Sequence, residues 1–158
     1  MAPVLTFAMT AAITPGPNNI ILSTNAVNYG FKETIPLMMG VFFGFLSILT
    51  LCLLGIGELY QSFPAIAAIV KTVATCFLVY LSFRIFFSSS FSDGGSSKKF
   101  SFMDIYFFQI INPKAVTVSM SSSAIFIQNK FSYQIEFLLI FICFVISTST
   151  SAIAWAAI

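Results

Sequence analysis

Two short clusters of helix-breaking and polar residues interrupt otherwise apolar stretches of this 158-residue chain. A proline inside a helix removes a backbone hydrogen bond and clashes with the preceding turn, so each cluster predicts a break. A half-helix that begins at a break presents unpaired N–H groups and the positive end of its dipole, which attract an anion such as a carboxylate. The two clusters are Thr14-Pro15-Gly16-Pro17, followed by Asn18 and Asn19, and Asn112-Pro113-Lys114.

The residue types predict how each half-helix begins. Thr14 and Asn112 are suitable N-caps, and Pro15 and Pro113 suit the first helical position. Each break therefore predicts a helix end that faces a ligand, although a proline kink that serves packing alone is also tolerated in membrane helices.

Lys114 would lie near the middle of its apolar stretch, where a lysine costs about 2.5–3.5 kcal/mol on insertion scales. It should therefore face the protein interior or a water-filled cavity. Two interpretations stay open: Lys114 pairs with a substrate carboxylate or takes part in coupling, or it binds carbonyls freed by Pro113 and holds the break in shape. Asn18 and Asn19 likewise offer amides to a ligand, or are satisfied polar groups at a helix end.

Composition places both breaks in membrane-spanning helices. Hydrophobic residues make up 58% of the chain and charged residues 8%, whereas a soluble domain carries about 25% charged residues. The apolar blocks are long enough for helices of about 20 residues, which cross a hydrocarbon core of about 30 Å. Continuous blocks favour helices over barrel strands. The predicted spans are residues 3–28, 35–57, 63–86, 104–127 and 133–158.

These spans predict an all-α integral membrane protein with one transmembrane domain over residues 1–158. Its parts are a three-helix half at 1–87, a polar cytoplasmic linker at 88–101 and an incomplete second half at 102–158. The breaks fall at similar depths in spans 1 and 4, and paired interrupted spans in corresponding places indicate a transporter binding site. We therefore expect a six-helix, 3+3 inverted-repeat architecture of which about five helices are present, with a sixth missing after the uncharged end.

The positive-inside rule orients these spans. With the N-terminus outside, four of the five loop cations lie in the cytoplasm and only Lys130 lies outside. The sequence thus predicts an external N-terminus. The four cytoplasmic cations are Lys32, Arg84, Lys98 and Lys99.

Three further features have a structural interpretation, and two of them also have a functional interpretation. Gly40 and Gly44 form a small-xxx-small pattern that permits close helix contact. Lys71 is expected to extend toward the outer interface, or to pair with Glu58. The Ser/Thr run at 147–151 is expected to bond across helices, or to line an aqueous path.

Several function classes are excluded or disfavoured. The chain has no histidine, which excludes metal–histidine sites and Ser–His relays, and it has no Walker A motif. An enzyme and a cofactor are therefore not expected, and a net charge of +2 is too small to argue for a nucleic-acid partner. No carboxylate lies deep within a predicted span, which favours a neutral zwitterion over a cation as the solute.

Two segments resemble those of a known family. ITPGPNNIILSTNAVNYGFKETIPLMMGVFFGF resembles the opening signature of LysE/RhtB-type amino-acid exporters, with its PGP break and spaced glycines. FFQIINPKAVTVSM resembles the second signature of that family, an Asn-Pro-Lys in the fourth span, and YLSFRIF fits the end of the third. The PGPNN form is most similar to the branch that includes cysteine and O-acetylserine exporters.

The resemblance implies a six-span secondary transporter in the bacterial inner membrane that exports a neutral amino acid or derivative, such as cysteine or O-acetylserine. Many relatives carry an acidic residue directly after PGP, where this chain has Asn18, so export of basic amino acids is not expected. Protons as coupling ion are implied by analogy alone, and a homo-oligomer is left open. The alternative is a truncated, non-transporting membrane protein or a packing subunit.

In the transporter hypothesis the substrate binds near the midplane, between the two broken helices. The half-helix ends at 16–18 and 112–114 would hold its carboxylate. Its ammonium group would donate hydrogen bonds to Thr14, to Asn19, or to exposed carbonyls of Ala12 and Ile13.

Overall fold

The computed structural model describes residues 1–56, 100–128 and 130–158, together with isolated helical positions between 65 and 79. The predictions for Lys71, Glu58 and residues 88–99 of the linker lie outside these residues, as does most of predicted span 3.

Every regular element in the described ranges is helical, which confirms the all-α prediction. The third helix continues into a π-helical turn at Cys52–Ile56, where Gly55 has a φ of 95°. The helices are α1 Ala2–Ile13, α2 Pro17–Tyr29, α3 Phe31–Leu51, α4 Phe102–Ile111, α5 Pro113–Phe126 and α6 Tyr133–Ala156. Predicted spans 1 and 4 are thus each two helices that meet at the expected break.

Helix boundaries follow from local chemistry. Gly30, with a φ of 89°, ends α2 and begins α3 in a conformation that a side chain would strain. A capping box starts α4: the Ser101 hydroxyl accepts from the Asp104 N–H, and the Asp104 carboxylate accepts from the Ser101 N–H at 2.9 Å. This box explains why α4 begins at Phe102, two residues before the predicted start.

The glycine pattern of α3 packs directly against α4. A Cβ added at Gly40 would lie 2.7 Å from the carbonyl oxygen of Phe102, and one at Gly44 would lie 2.6 Å from Cγ of Gln109. Both distances are below van der Waals contact, so only glycine lets the two backbones approach this closely. The close helix contact predicted from the spacing is therefore confirmed, and α3 also packs against α2 and α6.

A buried carboxylate holds the α5–α6 loop. The Glu136 side chain, in the first turn of α6, accepts from the backbone N–H groups of Gln128 and Lys130, both at 2.9 Å, and from that of Phe131 at 3.2 Å. These bonds, at the start of the predicted fifth span, compensate for the burial of the Glu136 carboxylate.

Among the described residues, the interior combines an apolar core with eleven buried polar or charged side chains, and many large apolar side chains face outward. Exposed apolar residues include Val27, at 74% exposure, Phe107 and Leu138. Large apolar side chains on the outside suit lipid surroundings, and polar groups of a membrane protein are expected inside it. The buried polar residues are Asn19, Asn25, Thr34, Gln109, Asn112, Ser119, Ser122, Glu136, Ser147, Thr148 and Ser151.

Two helical segments among the described residues are long and apolar enough to cross a membrane: Phe31–Gly55, with 25 residues and mean hydropathy 2.4, and Tyr133–Ala156, with 24 residues and mean hydropathy 2.2. The shorter helices Ala2–Ile13 and Phe102–Ile111 are also apolar, and each would need its partner across the break to reach about 30 Å. The five-span count and the inverted repeat stay predictions.

Candidate functional site

The half-helix after the first break begins two residues later than the sequence predicts. Helix α1 ends at Ile13, and Gly16, not Thr14, is the N-cap of α2, whose first residue is Pro17. A residue before proline avoids the helical region; accordingly Thr14 has a ψ of 130°, and Gly16 is extended at φ −165°, ψ 175°. The prediction that Thr14 caps a helix starting at Pro15 is wrong, because the second proline keeps the intervening residues extended.

Carbonyl groups freed by this break receive donors from α6. The Ser151 hydroxyl donates to the carbonyl of Ala12 at 2.7 Å, and the Trp155 indole N–H donates to that of Ile13 at 3.2 Å. Both carbonyls were expected to be available to a substrate ammonium. In this conformation the protein's own side chains already bind them.

Asn19 closes the break from the α2 side. Its Nδ2 donates to the carbonyls of Ala12 at 3.1 Å and Thr14 at 3.0 Å, and the side chain is buried. The Thr14 hydroxyl donates back to Thr10 in its own helix. Asn19 is therefore positioned as a structural clamp on the extended segment, and the Thr14 hydroxyl faces its own helix.

The second break is held by its own cap. Asn112 is the N-cap of α5, its Oδ1 accepts from the Lys114 N–H at 3.0 Å, and Pro113 is the first helical residue. These positions match the sequence prediction. A single residue, Asn112, separates α4 from α5.

Three amides join the two breaks. Asn18 and Gln109 exchange a pair of hydrogen bonds, at 3.1 Å from Asn18 Nδ2 and 2.8 Å from Gln109 Nε2, and Asn112 Nδ2 donates to Asn18 Oδ1 at 3.3 Å. Gln109 and Asn112 are 0% and 1% exposed. Sequence reasoning missed Gln109, although a lone amide in FFQII, about one turn before Asn112, is the signal that identifies it.

Lys114 reaches across to the other break. Its Nζ donates to the carbonyl of Thr14, and a Cβ at Gly16 would lie only 3.1 Å from Lys114 Cδ and 3.2 Å from Nζ. The lysine therefore lies against the bare glycine backbone. The interpretation that it binds carbonyls freed by Pro113 is not what the structure shows, because the carbonyl belongs to the first break.

A cavity with a volume of about 60 Å³ lies between the breaks. This volume is several times the roughly 10–15 Å³ that one water molecule needs. Thr148 and Ser151 of α6 line it, whereas the Ser147 hydroxyl donates within α6 to Cys143. Thr14, Pro15 and Pro113 are absent from its lining. The predicted site residues that do line it are Gly16, Pro17, Asn18, Asn19, Asn112 and Lys114.

Positive groups at this cavity lie beside the carbonyl end of α1, whose Ala12 also lines it. Within the described ranges, Lys114 is the one charged side chain among the lining residues. The N-termini of α2 and α5 meet there as well, and each adds the partial positive charge of a helix dipole. The arrangement can hold an anionic group beside amide donors and acceptors.

An apolar exterior, buried polar side chains and two broken helices that meet at a cavity are typical of a helical membrane transporter. The family model described as "LysE type translocator" matches residues 9–158. The chain therefore belongs to the LysE type translocator family, as its motifs predicted.

Curated relatives carry one recurring name. The chain is 29% identical over 133 residues to the "Cysteine/O-acetylserine efflux protein" of Shigella flexneri serotype 5b (strain 8401), covering 80% of this chain and 68% of that protein. It is 29% identical over 123 residues to the protein of the same name in Escherichia coli (strain K12), covering 77% of this chain and 63% of that protein. No solved structure gives a significant match.

Proposed function

We propose that this protein exports a small neutral amino acid or derivative, of the cysteine or O-acetylserine type, across the bacterial inner membrane. The observation that carries the proposal is the cavity between the two broken helices, with Lys114 and two helix N-termini on a lining that has no acidic residue within the described ranges. The names of the relatives support the same solute class.

The lining chemistry favours this solute over its rivals. A cationic solute would meet Lys114 and two positive helix ends, with like-charge repulsion and no carboxylate from the described lining. An α-amino acid brings a carboxylate for the positive groups. The small volume and the apolar neighbours Val41, Phe45 and Phe144 suit a short side chain.

The proposed topology places the N-terminus outside. Its test is a Ser96→Cys variant in a background without the three native cysteines. A membrane-impermeant thiol reagent should label it in inverted vesicles and leave it unlabelled in intact cells. Labelling in intact cells would contradict this orientation.

Efflux measurements test the function itself. Cells that overproduce the protein should release more cysteine or O-acetylserine into the medium and tolerate a toxic excess of the exported solute. The Lys114→Met variant should lose this activity while remaining in the membrane, because the positive partner of the carboxylate is gone. The matched control is Lys32→Met, since Lys32 is exposed and is not among the residues that line the cavity.

Two results would contradict the proposal. One is a correctly inserted parent protein that releases no small neutral amino acid, which would favour the non-transporting alternative. The other is a Lys114→Met variant that exports at the parent rate.

A further inference from the structure

We infer that the Lys114 ammonium group takes the place of the substrate's ammonium group when the site is empty, by donating to the Thr14 carbonyl. An amino acid that enters the site displaces Lys114 from this carbonyl with its own ammonium group. The carboxylate of the amino acid then pairs with the displaced Lys114. This inference rests on the proposed function and names the chemical feature that the site selects, an amine and a carboxylate in one small molecule.

The acceptors around the first break are nearly saturated. A carbonyl oxygen has two lone pairs. That of Ala12 accepts from Asn19 and Ser151, and that of Thr14 accepts from Asn19 and Lys114. An incoming ammonium group must therefore displace a donor before it can bind either carbonyl.

Lys114 is the donor best able to leave. Asn19 is buried and holds two carbonyls at once, so moving it would break two bonds. Lys114 makes its contact through a long flexible stem that lies along Gly16 in a cavity-lining position. Lys114 itself lines the cavity, so a ligand that enters the cavity can meet its ammonium group.

A displaced ammonium group needs a new partner, because an unpaired charge inside a membrane protein is costly. A carboxylate on the same ligand supplies one. An amine without a carboxylate would displace Lys114 and leave it unpaired. A carboxylate without an amine would draw Lys114 away and leave the Thr14 carbonyl with one donor fewer. Since a zwitterion adds no net charge, the charge of the site is the same before and after binding.

Three ligands that differ by one group separate these cases: L-cysteine, cysteamine, which lacks the carboxylate, and 3-mercaptopropionate, which lacks the amine. Serine and ethanolamine form a second pair. Binding can be followed through Trp155, the one tryptophan of the chain, because its indole donates to Ile13 beside the break. Equilibrium dialysis with radiolabelled ligand provides an independent reading on the purified protein.

In the parent protein the amino acid should bind about tenfold or more tightly than either partial ligand, as expected for one charge-assisted hydrogen bond. Lys114→Gln keeps an amide donor for Thr14 but loses the charge. It should weaken cysteine binding about tenfold and leave cysteamine binding unchanged or stronger, so that the discrimination disappears. Lys114→Ala should do the same, and Lys130→Gln, in the exposed loop, should change neither affinity.

The binding results separate a failure of the Lys114 displacement from a failure of the proposed amino-acid export. If Lys114→Gln weakens cysteine and cysteamine equally, or if the parent protein binds both equally, the surrogate mechanism is wrong while amino-acid binding stands. If the parent protein binds none of the amino acids, the proposed function is overturned together with the inference.

Discussion

The two breaks of this protein are built in different ways. The second is a single capped residue: Asn112 accepts from the Lys114 N–H, and α5 starts at Pro113. The first is an extended segment between Ile13 and Pro17, and its N-cap, Gly16, has no side chain to cap with. Its freed carbonyls bind side chains from elsewhere in the fold.

The second break is thus local, because neighbouring residues hold it, whereas the first is tertiary, because side chains from other helices hold it. The second break is specified by neighbouring residues and would form wherever α4 and α5 form. The first depends on donors from α2, α5 and α6, so a movement of those helices, or a ligand that replaces a donor, changes its hydrogen bonding. We expect the first break to be the part that rearranges during transport and the second to be the fixed reference.

The largest effect is expected from removing the first break. Replacing both Pro15 and Pro17 by alanine should let α1 and α2 run as one helix, which pairs the carbonyls internally and removes the extended segment. Efflux should fall below detection while the protein is still made. Pro36→Ala is the matched control, because Pro36 is exposed inside the unbroken α3. Parent-level export by the double variant would show that the first break is dispensable.

The amide cluster should come next. Gln109→Leu nearly conserves volume but leaves the Asn18 amide without its reciprocal partner, and it should lower stability by about 1–3 kcal/mol. Efflux should drop with it because the two breaks are no longer tied together. Thermal unfolding in detergent measures the first effect. Gln128→Leu is the control, because the Gln128 side chain is exposed and makes only a local bond to the carbonyl of Ile125, so it should lose less stability. Equal losses in both variants would argue against a special role for the cluster.

The cap comparison tests the distinction directly. Asn112→Ala should cost about 1 kcal/mol, and Asn112→Ser should restore most of the cap but not the bond to Asn18. Thr14→Val, at the corresponding place in the first break, should change stability little, because the Thr14 hydroxyl bonds only within α1. Comparable unfolding shifts for Thr14→Val and Asn112→Ala would remove the distinction between local and tertiary breaks.

The smallest effect is expected from one tertiary donor. Ser151→Ala removes the bond to Ala12, which Asn19 also holds, so the loss should be about 0.5–1.5 kcal/mol. Ser147→Ala is the control, since Ser147 is equally buried but donates within its own helix. A Ser147 variant that unfolds earlier than the Ser151 variant would contradict the assignment of Ser151 to the first break.

Residue types and their local spacing were enough to predict the helical class, the two breaks and the second cap. These depend on neighbouring residues: proline lacks an N–H wherever it stands, asparagine caps the helix that follows it, and apolar blocks of this length require lipid. The spacing of Gly40 and Gly44 likewise predicted a close helix contact, because residues four apart lie on one helix face.

Which groups meet across the fold depends on how the helices pack. Gln109 and Asn18 are 91 positions apart, and Ser151 and Ala12 are 139 apart. Lys114 illustrates the limit most clearly: its chemistry predicted a polar partner inside the protein, yet its sequence neighbours pointed to carbonyls near Pro113. Its side chain instead spans 100 positions to Thr14, because helix packing places Gly16 beside it and the absence of a side chain there leaves room for the lysine.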